Sequence, residues 1–274
     1  MAVSISSRFL DRREAAKWSA IRLFGGMTFR PLLGGLAASM WLACQAPAAP
    51  TTMTLDHLHP FLAQTVESMA DDTVDIAQAR QTELNDVALW VADMLVDSGR
   101  VDLTFICTHN SRRSHLAQVW AQVGAEVSGL QGVRTFSGGT EATACNPRTV
   151  AAMRRAGFQV AVLDTVHGAN NPTYDVSMGK DVPGMACFSK TYTDEANPQQ
   201  GFGAVMTCSS ADRGCPLVHG AAARFATPYV DPKVSDGTDE EAATYDARCR
   251  QIGTEMLYLM GEVKRRIGSK GTKG

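Results

Sequence analysis

The chain has 274 residues, 45% of them hydrophobic and 20% charged, with a formal net charge of -2. That length can bury a real core in one large domain or two small ones. The near-neutral balance, with no like-charge run longer than a few residues such as Asp239-Glu240-Glu241, excludes a general electrostatic pull toward nucleic acid or an acidic membrane.

Residues 1–50 form an N-terminal extension of distinct composition. The run PLLGGLAASMWLA at 31–43 carries no charge, follows Arg30 and leads into CQAPAAPTT. A basic flank, a short apolar run and a small-residue exit match a secretion signal, and the run is too short to span a bilayer. Cys44 also stands where a bacterial lipoprotein carries its lipid, although Trp41 occupies a position that prefers an aliphatic residue. Met27 would open a compact signal of this kind. The expectation is export to the periplasm or a lipid anchor in the envelope; the alternative is a buried helix in a cytoplasmic protein.

Residues 51–100 read as a helical segment. After a linker at 45–54, Leu84, Val87, Ala88, Val91 and Leu95 fall on one stripe at helical spacing. Gly99 is a helix stop. From 101 onward strands and helices alternate. Val101 to Ile106 is an apolar strand and 112–127 a helix. A strand follows near 133–137, then a helix from Pro147 to Ala156 and a strand from Phe158 to Leu163. Residues 164–200 read as an irregular insertion with room for a hairpin. Phe202 to Met206 is another strand, and a long helix over about 239–266 ends the folded region. This order predicts an α/β domain over 101–268 with a mainly parallel sheet.

The stretch FICTHNSRRSHLAQVWAQ at 105–122 carries the chemistry. A strand ends at Ile106, Cys107 begins a turn, and a helix starts a few residues later. Inward-facing loop N–H groups beside a helix N-terminus make a pocket for a tetrahedral anion. Arg113 at the first helical turn can fork two oxygens of phosphate or arsenate. The same positive surroundings favour a thiolate at Cys107, the nucleophilic form of the residue. Asn110, Ser111 and Ser114 can bond the loop backbone or the sulfur.

Cys107-Thr108-His109-Asn110-Ser111-Arg112-Arg113-Ser114 resembles the active-site loop of low-molecular-weight protein tyrosine phosphatases and of the related thioredoxin-coupled arsenate reductases. The resemblance continues through SGGTEATACNPRTVAAMRRAGF at 137–158, AVMTCSSADRGCPLV at 204–218 and YVDPK at 229–233. It implies a four-stranded parallel sheet flanked by helices, preceded here by the extra helical segment. By that resemblance Cys107 is the nucleophile and Arg113 binds the oxyanion. Ser114 supports the thiolate, Asn110 braces the loop, and Thr108, His109, Asn110, Ser111 and Arg112 complete the oxyanion pocket. Asp231 of the Asp231-Pro232 pair would be the general acid of a phosphatase. The chain departs from the pattern at His109, usually glycine, where an unusual backbone dihedral is expected. It departs again at Arg112, often a second cysteine. That arginine either attracts an anionic substrate or is a solvated surface charge.

CSSADRGC at 208–215 resembles the redox segment of three-cysteine arsenate reductases. There Cys107, Cys208 and Cys215 would relay a disulfide toward an external thiol reductant such as a thioredoxin. A structural disulfide or two inert thiols are the plainer alternatives. Export argues for phosphatase action instead, because envelope compartments are oxidising. The expected substrate is arsenate or a phosphorylated compound. No bound cofactor, metal or nucleic acid is expected, and a zinc site from Cys208, Cys215 and His219 lacks a fourth ligand. Cys145, Cys187 and Cys249 belong to no motif and are expected as buried free thiols.

Overall fold

A computed structural model describes residues 53–215 and 217–271. The N-terminal run at 31–44, with its export and lipid-anchor expectations, lies outside the described residues. The elements are α1 (Pro60–Asp71), a 3-10 turn (Asp72–Asp75), α2 (Gln78–Ser98), β1 (Val101–Cys107), α3 (Arg113–Val127), β2 (Val133–Gly139) and α4 (Pro147–Arg155). They continue with β3 (Gln159–Asp164), β4 (Thr173–Ser177), β5 (Met185–Cys187), β6 (Phe202–Met206), α5 (Ser209–Gly214), β7 (Ala221–Ala226), a second 3-10 turn (Pro232–Ser235) and α6 (Glu241–Gly271).

Four strands form a parallel sheet in the order β2-β1-β6-β7. All seven residues of β1 are buried, as a central parallel strand covered on both faces requires. Helices cover the sheet: α3 packs on β1 and β2 and also against α6, and α2 packs against α6, β1 and β7. Trp120 of α3 is fully buried, meets Phe158 edge-on at 5.0 Å and donates from its indole N–H to Cys249 Sγ at 3.2 Å.

The N-terminal helices are part of the same core. Leu62 and Val66 of α1 and Leu84, Val87 and Val91 of α2 share one buried cluster with Phe105 and Met256. The helix stop stands at Gly99, which takes φ 70 while its N–H bonds Leu95 O, a left-handed C-cap that suits glycine.

Two strand expectations are corrected. The strand expected from Phe158 to Leu163 exists at Gln159–Asp164, but it lies outside the parallel sheet. It pairs antiparallel with β4 in a separate three-stranded sheet, β3-β4-β5. Its Val162 and Leu163 are exposed, so apolar content alone misread its setting. The fourth parallel strand is β7, AAARFA, which sequence reading passed over because alanine has low strand preference. The insertion at 164–200 therefore contains the β4–β5 hairpin, and its far end reaches the site.

Candidate active site

β1 delivers Cys107 to the carboxyl end of the parallel sheet, where open α/β sheets place their ligands. The turn to α3 holds the one non-glycine residue with positive φ among the described residues, Asn110 at 43°. Asparagine tolerates this region better than most residues. The unusual dihedral expected at His109 thus falls one residue later. Asn110 is fully buried; its Nδ2 donates to Ser114 Oγ at 2.9 Å, and its Oδ1 accepts from Lys190 N at 2.9 Å. Ser114 Oγ sits 3.1 Å from Cys107 Sγ. Because that oxygen already accepts from Asn110, its hydrogen is free to point at the sulfur.

The loop carbonyls are turned outward and held. Cys107 O accepts from Thr140 N at 3.1 Å, Thr108 O from Glu141 N at 2.8 Å and Ser111 O from Asn146 N at 3.0 Å. His109 O accepts from Ser189 Oγ at 2.9 Å and from Thr143 Oγ1 at 3.3 Å. With its carbonyls committed outward, the loop has its amide N–H groups left for an anion. Gly139 makes this close approach possible, since a Cβ there would stand 2.7 Å from Thr108 O and 2.2 Å from Glu141 O.

Cys107, His109, Ser111, Arg112, Arg113 and Asp231 line one small, tight cavity. A larger groove of about 920 Å³ lies between α2 and α6, and none of these groups lines it. Arg113 Nη2 donates to Asp231 Oδ2 at 2.7 Å and its Nη1 to Tyr229 O at 3.0 Å. Its Nε is buried without a protein acceptor, a donor left over for an oxyanion. His109 is half exposed, with Nε2 3.7 Å from Glu141 Oε2.

Arg112 is not a solvated surface charge, which corrects one of the two expectations for it; it lines the cavity beside Arg113 and is tied into the fold. It is mostly buried, donates from Nε to Tyr245 OH at 2.9 Å, and lies 3.8 Å from Asp231 and 3.9 Å from Asp236. Tyr245 OH in turn donates to Asp236 Oδ1 at 2.8 Å. Burial and the adjacent Asp236 push the Tyr245 hydroxyl up to about 12, so it stays a donor. Arg112 therefore ties the loop to α6 and to the segment bearing Asp231. From the other side Arg80 of α2 lies over the buried Tyr229 ring at 4.6 Å and donates to Glu255 at 2.7 Å. The extra N-terminal helices thus support the Tyr229–Asp231 segment.

Cys208 and Cys215 flank α5, a six-residue helix. Cys208 caps it, its sulfur accepting from Ala211 N at 3.3 Å. Ile106 is in register with Met206, so Cys107 and Cys208 leave the ends of neighbouring strands. Cys208 Sγ lies 3.4 Å from Thr108 Oγ1 and shares a buried cluster with Cys107. Cys215 is half buried at the far end, with its Sγ 3.2 Å from Leu217 O. Both sulfurs are free thiols.

Sequence reading missed a buried layer behind the loop. His115 is fully buried, with Nδ1 3.2 Å from Ser137 Oγ, and burial with Lys190 nearby pushes it down to about 3. Lys190 is itself buried, its Nζ 4.4 Å over the Phe188 ring, and burial lowers its proton affinity. His115 follows Ser114 directly and could have been singled out by position. Lys190 comes from the insertion, and nothing local in the sequence ties it to Cys107.

Residues 102–171 match the low molecular weight phosphotyrosine protein phosphatase family. The arsenate reductase of Bacillus subtilis strain 168 is 28% identical over 155 residues, 56% of this chain and 89% of that protein. The arsenate reductase of Oceanobacillus iheyensis is 29% identical over 140 residues, 51% of this chain and 80% of that protein. Among solved structures, a low molecular weight protein tyrosine phosphatase from Bacillus subtilis is 16% identical with a TM-score of 0.40, covering 60% of this chain and 98% of that one.

Proposed function

Since this chain is a member of the low-molecular-weight phosphatase superfamily and a cysteine-dependent enzyme with arsenate reductases among its relatives, we propose that it reduces arsenate to arsenite through Cys107, Cys208 and Cys215. The observation that carries this reading is the position of Cys208. Its sulfur touches the Thr108 hydroxyl, one residue from the nucleophile, and a second free thiol stands at the other end of a short helix. A phosphatase has no use for that pair.

In the proposed cycle the chain's own groups act up to the final reduction. Arsenate sits on the loop N–H groups and the Arg113 fork, and the Cys107 thiolate attacks arsenic as an oxygen leaves as water. The Cys208 thiolate then attacks Cys107 Sγ. The electron pair of the sulfur–arsenic bond goes to arsenic, which departs as arsenite, and a Cys107–Cys208 disulfide remains. Cys215 attacks Cys208, freeing Cys107 and leaving Cys208–Cys215 for an external dithiol of thioredoxin type to reduce. Ser114 Oγ, within hydrogen-bonding distance of Cys107 Sγ, holds the leaving sulfur in place.

A second reading has its own observation. Asp231 is held at the cavity by Arg113, where a carboxylic acid can protonate the leaving oxygen of a phosphomonoester. Parallel assays with arsenate plus a dithiol and with an aryl phosphate separate the two. For the reductase, Cys208→Ser stalls as a Cys107–arsenic adduct, and Cys215→Ser stops after one turnover as a Cys107–Cys208 disulfide, both visible by mass spectrometry. Arsenate reduction by both serine variants at the parent's rate, or by no form with any dithiol, leaves the phosphatase reading in its place.

A further inference from the structure

Two cysteines outside the proposed relay sit where the loop braces meet. Cys145 comes two residues after Thr143, and Cys187 two residues before Ser189. Thr143 and Ser189 both donate through their side chains to His109 O, and Thr143 N donates to Ser189 Oγ at 2.8 Å. One step away, the Asn171 side-chain oxygen accepts from both Cys145 N at 3.3 Å and Ser189 N at 2.9 Å. Ser189 is therefore joined to Thr143 directly and to Cys145 through Asn171.

Cys187 and Ser189 are two apart at the end of β5, so an extended chain turns both side chains to one face. Ser189 uses that face to bond Thr143, two residues before Cys145; both cysteines are free thiols in this structure. Both thiols are buried in one cluster, Cys145 at 2% and Cys187 at 0% exposure. Burial, and then the neighbouring Cys187, holds the Cys145 thiol well above its ordinary range; burial pushes Cys187 up to about 12. Neither is a usable nucleophile once folded, which separates them from the relay.

We propose that Cys145 and Cys187 form a disulfide when the chain folds under oxidising conditions, stapling together the two segments that brace the oxyanion loop. The oxidant is a small-molecule disulfide such as oxidised glutathione. One cysteine thiolate attacks a glutathione sulfur and releases a glutathione thiolate. The other attacks the protein sulfur of that mixed disulfide and releases the second. Two electrons and the two thiol protons end on two molecules of glutathione. The exchange takes place before burial, and the bond is then shielded from reductant.

The test uses the full chain made by cell-free synthesis in a glutathione redox buffer, with free thiols alkylated under denaturing conditions. Trypsin places Cys145 in peptide 135–148 and Cys187 in peptide 181–190, each with a single cysteine. The expected product is a linked 135–148/181–190 pair. Closing a loop of about 40 residues should also raise the thermal midpoint by about 5–10 °C over protein made with excess reductant. The same rise is expected in the Cys208→Ser/Cys215→Ser variant, which lacks the relay pair. Alkylation of both peptides, a link from either cysteine to another partner, or an unchanged midpoint overturns the proposal.

Discussion

Arg113 and Asp231 are bound to each other across the mouth of the cavity, Nη2 to Oδ2 at 2.7 Å. If Arg113 grips the oxyanion and Asp231 serves the leaving group, as proposed, the two are partners until substrate arrives. An incoming anion must compete with the Asp231 carboxylate for the guanidinium, and winning that competition releases the carboxylate toward the leaving group. Asp231→Asn should therefore act in two directions. Aryl phosphate turnover should fall by roughly 10²-fold or more, the usual scale for a general acid. Inhibition by inorganic phosphate should tighten, because a neutral amide competes less well. Steady-state kinetics with a phosphate titration reads both, and an unchanged kcat removes Asp231 from the chemistry.

The oxyanion grip makes a second expectation. Arg113 uses one nitrogen on Asp231, one on Tyr229 O, and keeps a buried Nε in reserve. Lysine cannot reproduce three donors in one plane. Arg113→Lys should cost on the order of 10²–10³ in kcat, as loss of a preorganised donor does. Cys107→Ser should abolish arsenate reduction and ester hydrolysis together, since a hydroxyl is a far weaker nucleophile near neutral pH. Survival of either activity in the serine variant shows that the covalent step lies elsewhere.

The loop was legible in sequence because its chemistry is local. Cys107, Asn110, Arg113 and Ser114 fall within eight residues, and a strand followed by a helix fixes their mutual placement. Asp231 was legible only through a resemblance, since an Asp-Pro pair is a common turn. The braces were not legible. Ser189, Lys190 and Thr143 act on the loop through backbone and hydroxyl bonds that any polar residue type could make. Their positions are set by a hairpin whose strands pair in a second sheet, and β7 was missed because alanine says little about strand or helix in a buried setting.

His115 gives the protein an acid limit. Burial holds its imidazole at about 3 in the folded chain against 6.5 when exposed. The unfolded chain binds a proton that the folded chain refuses, so the contribution is complete above pH 6.5 and is lost as pH falls toward 3. Between pH 6.5 and 5 this residue alone should remove about 2 kcal/mol of stability. Urea unfolding across that range should show the loss, and His115→Gln should flatten the slope. An equal slope in the variant assigns the acid sensitivity to other groups.

Export carries its own expectation. The uncharged run from Pro31 to Ala43 after Arg30, with small residues beyond it, has the form of a cleaved signal. Mass spectrometry of the native protein should find an N-terminus near residue 44, lipidated if Cys44 is used. An intact N-terminus at Met1 or Met27 in a cytosolic fraction rules the idea out and places the chain among reductants that serve a thiol relay.

The relay also requires α5 to come apart. Cys208 and Cys215 stand at its two ends, seven positions apart. Along a helix that separation is about 10 Å, whereas a disulfide joins Cα atoms no more than about 7 Å apart. Closing the Cys208–Cys215 bond must therefore break the hydrogen bond from Cys215 N to Ala211 O, and the sulfur cap on Ala211 N with it. Arg224 Nη2 braces the same helix, donating to the Asp212 carbonyl at 2.7 Å and its carboxylate at 2.6 Å. These are few bonds on a short, partly exposed segment, so the cost is small enough for a working cycle. Arg213 lies in the middle of it. Oxidation of the reduced protein with a mild diamide reagent should make trypsin cut after Arg213 several-fold faster, while Cys215→Ser, which cannot close the bond, should keep the slow rate under the same treatment. Equal cleavage rates in oxidised and reduced parent, with the Cys208–Cys215 link verified by peptide mapping, show that the helix survives the bond and that the two sulfurs reach each other by another movement.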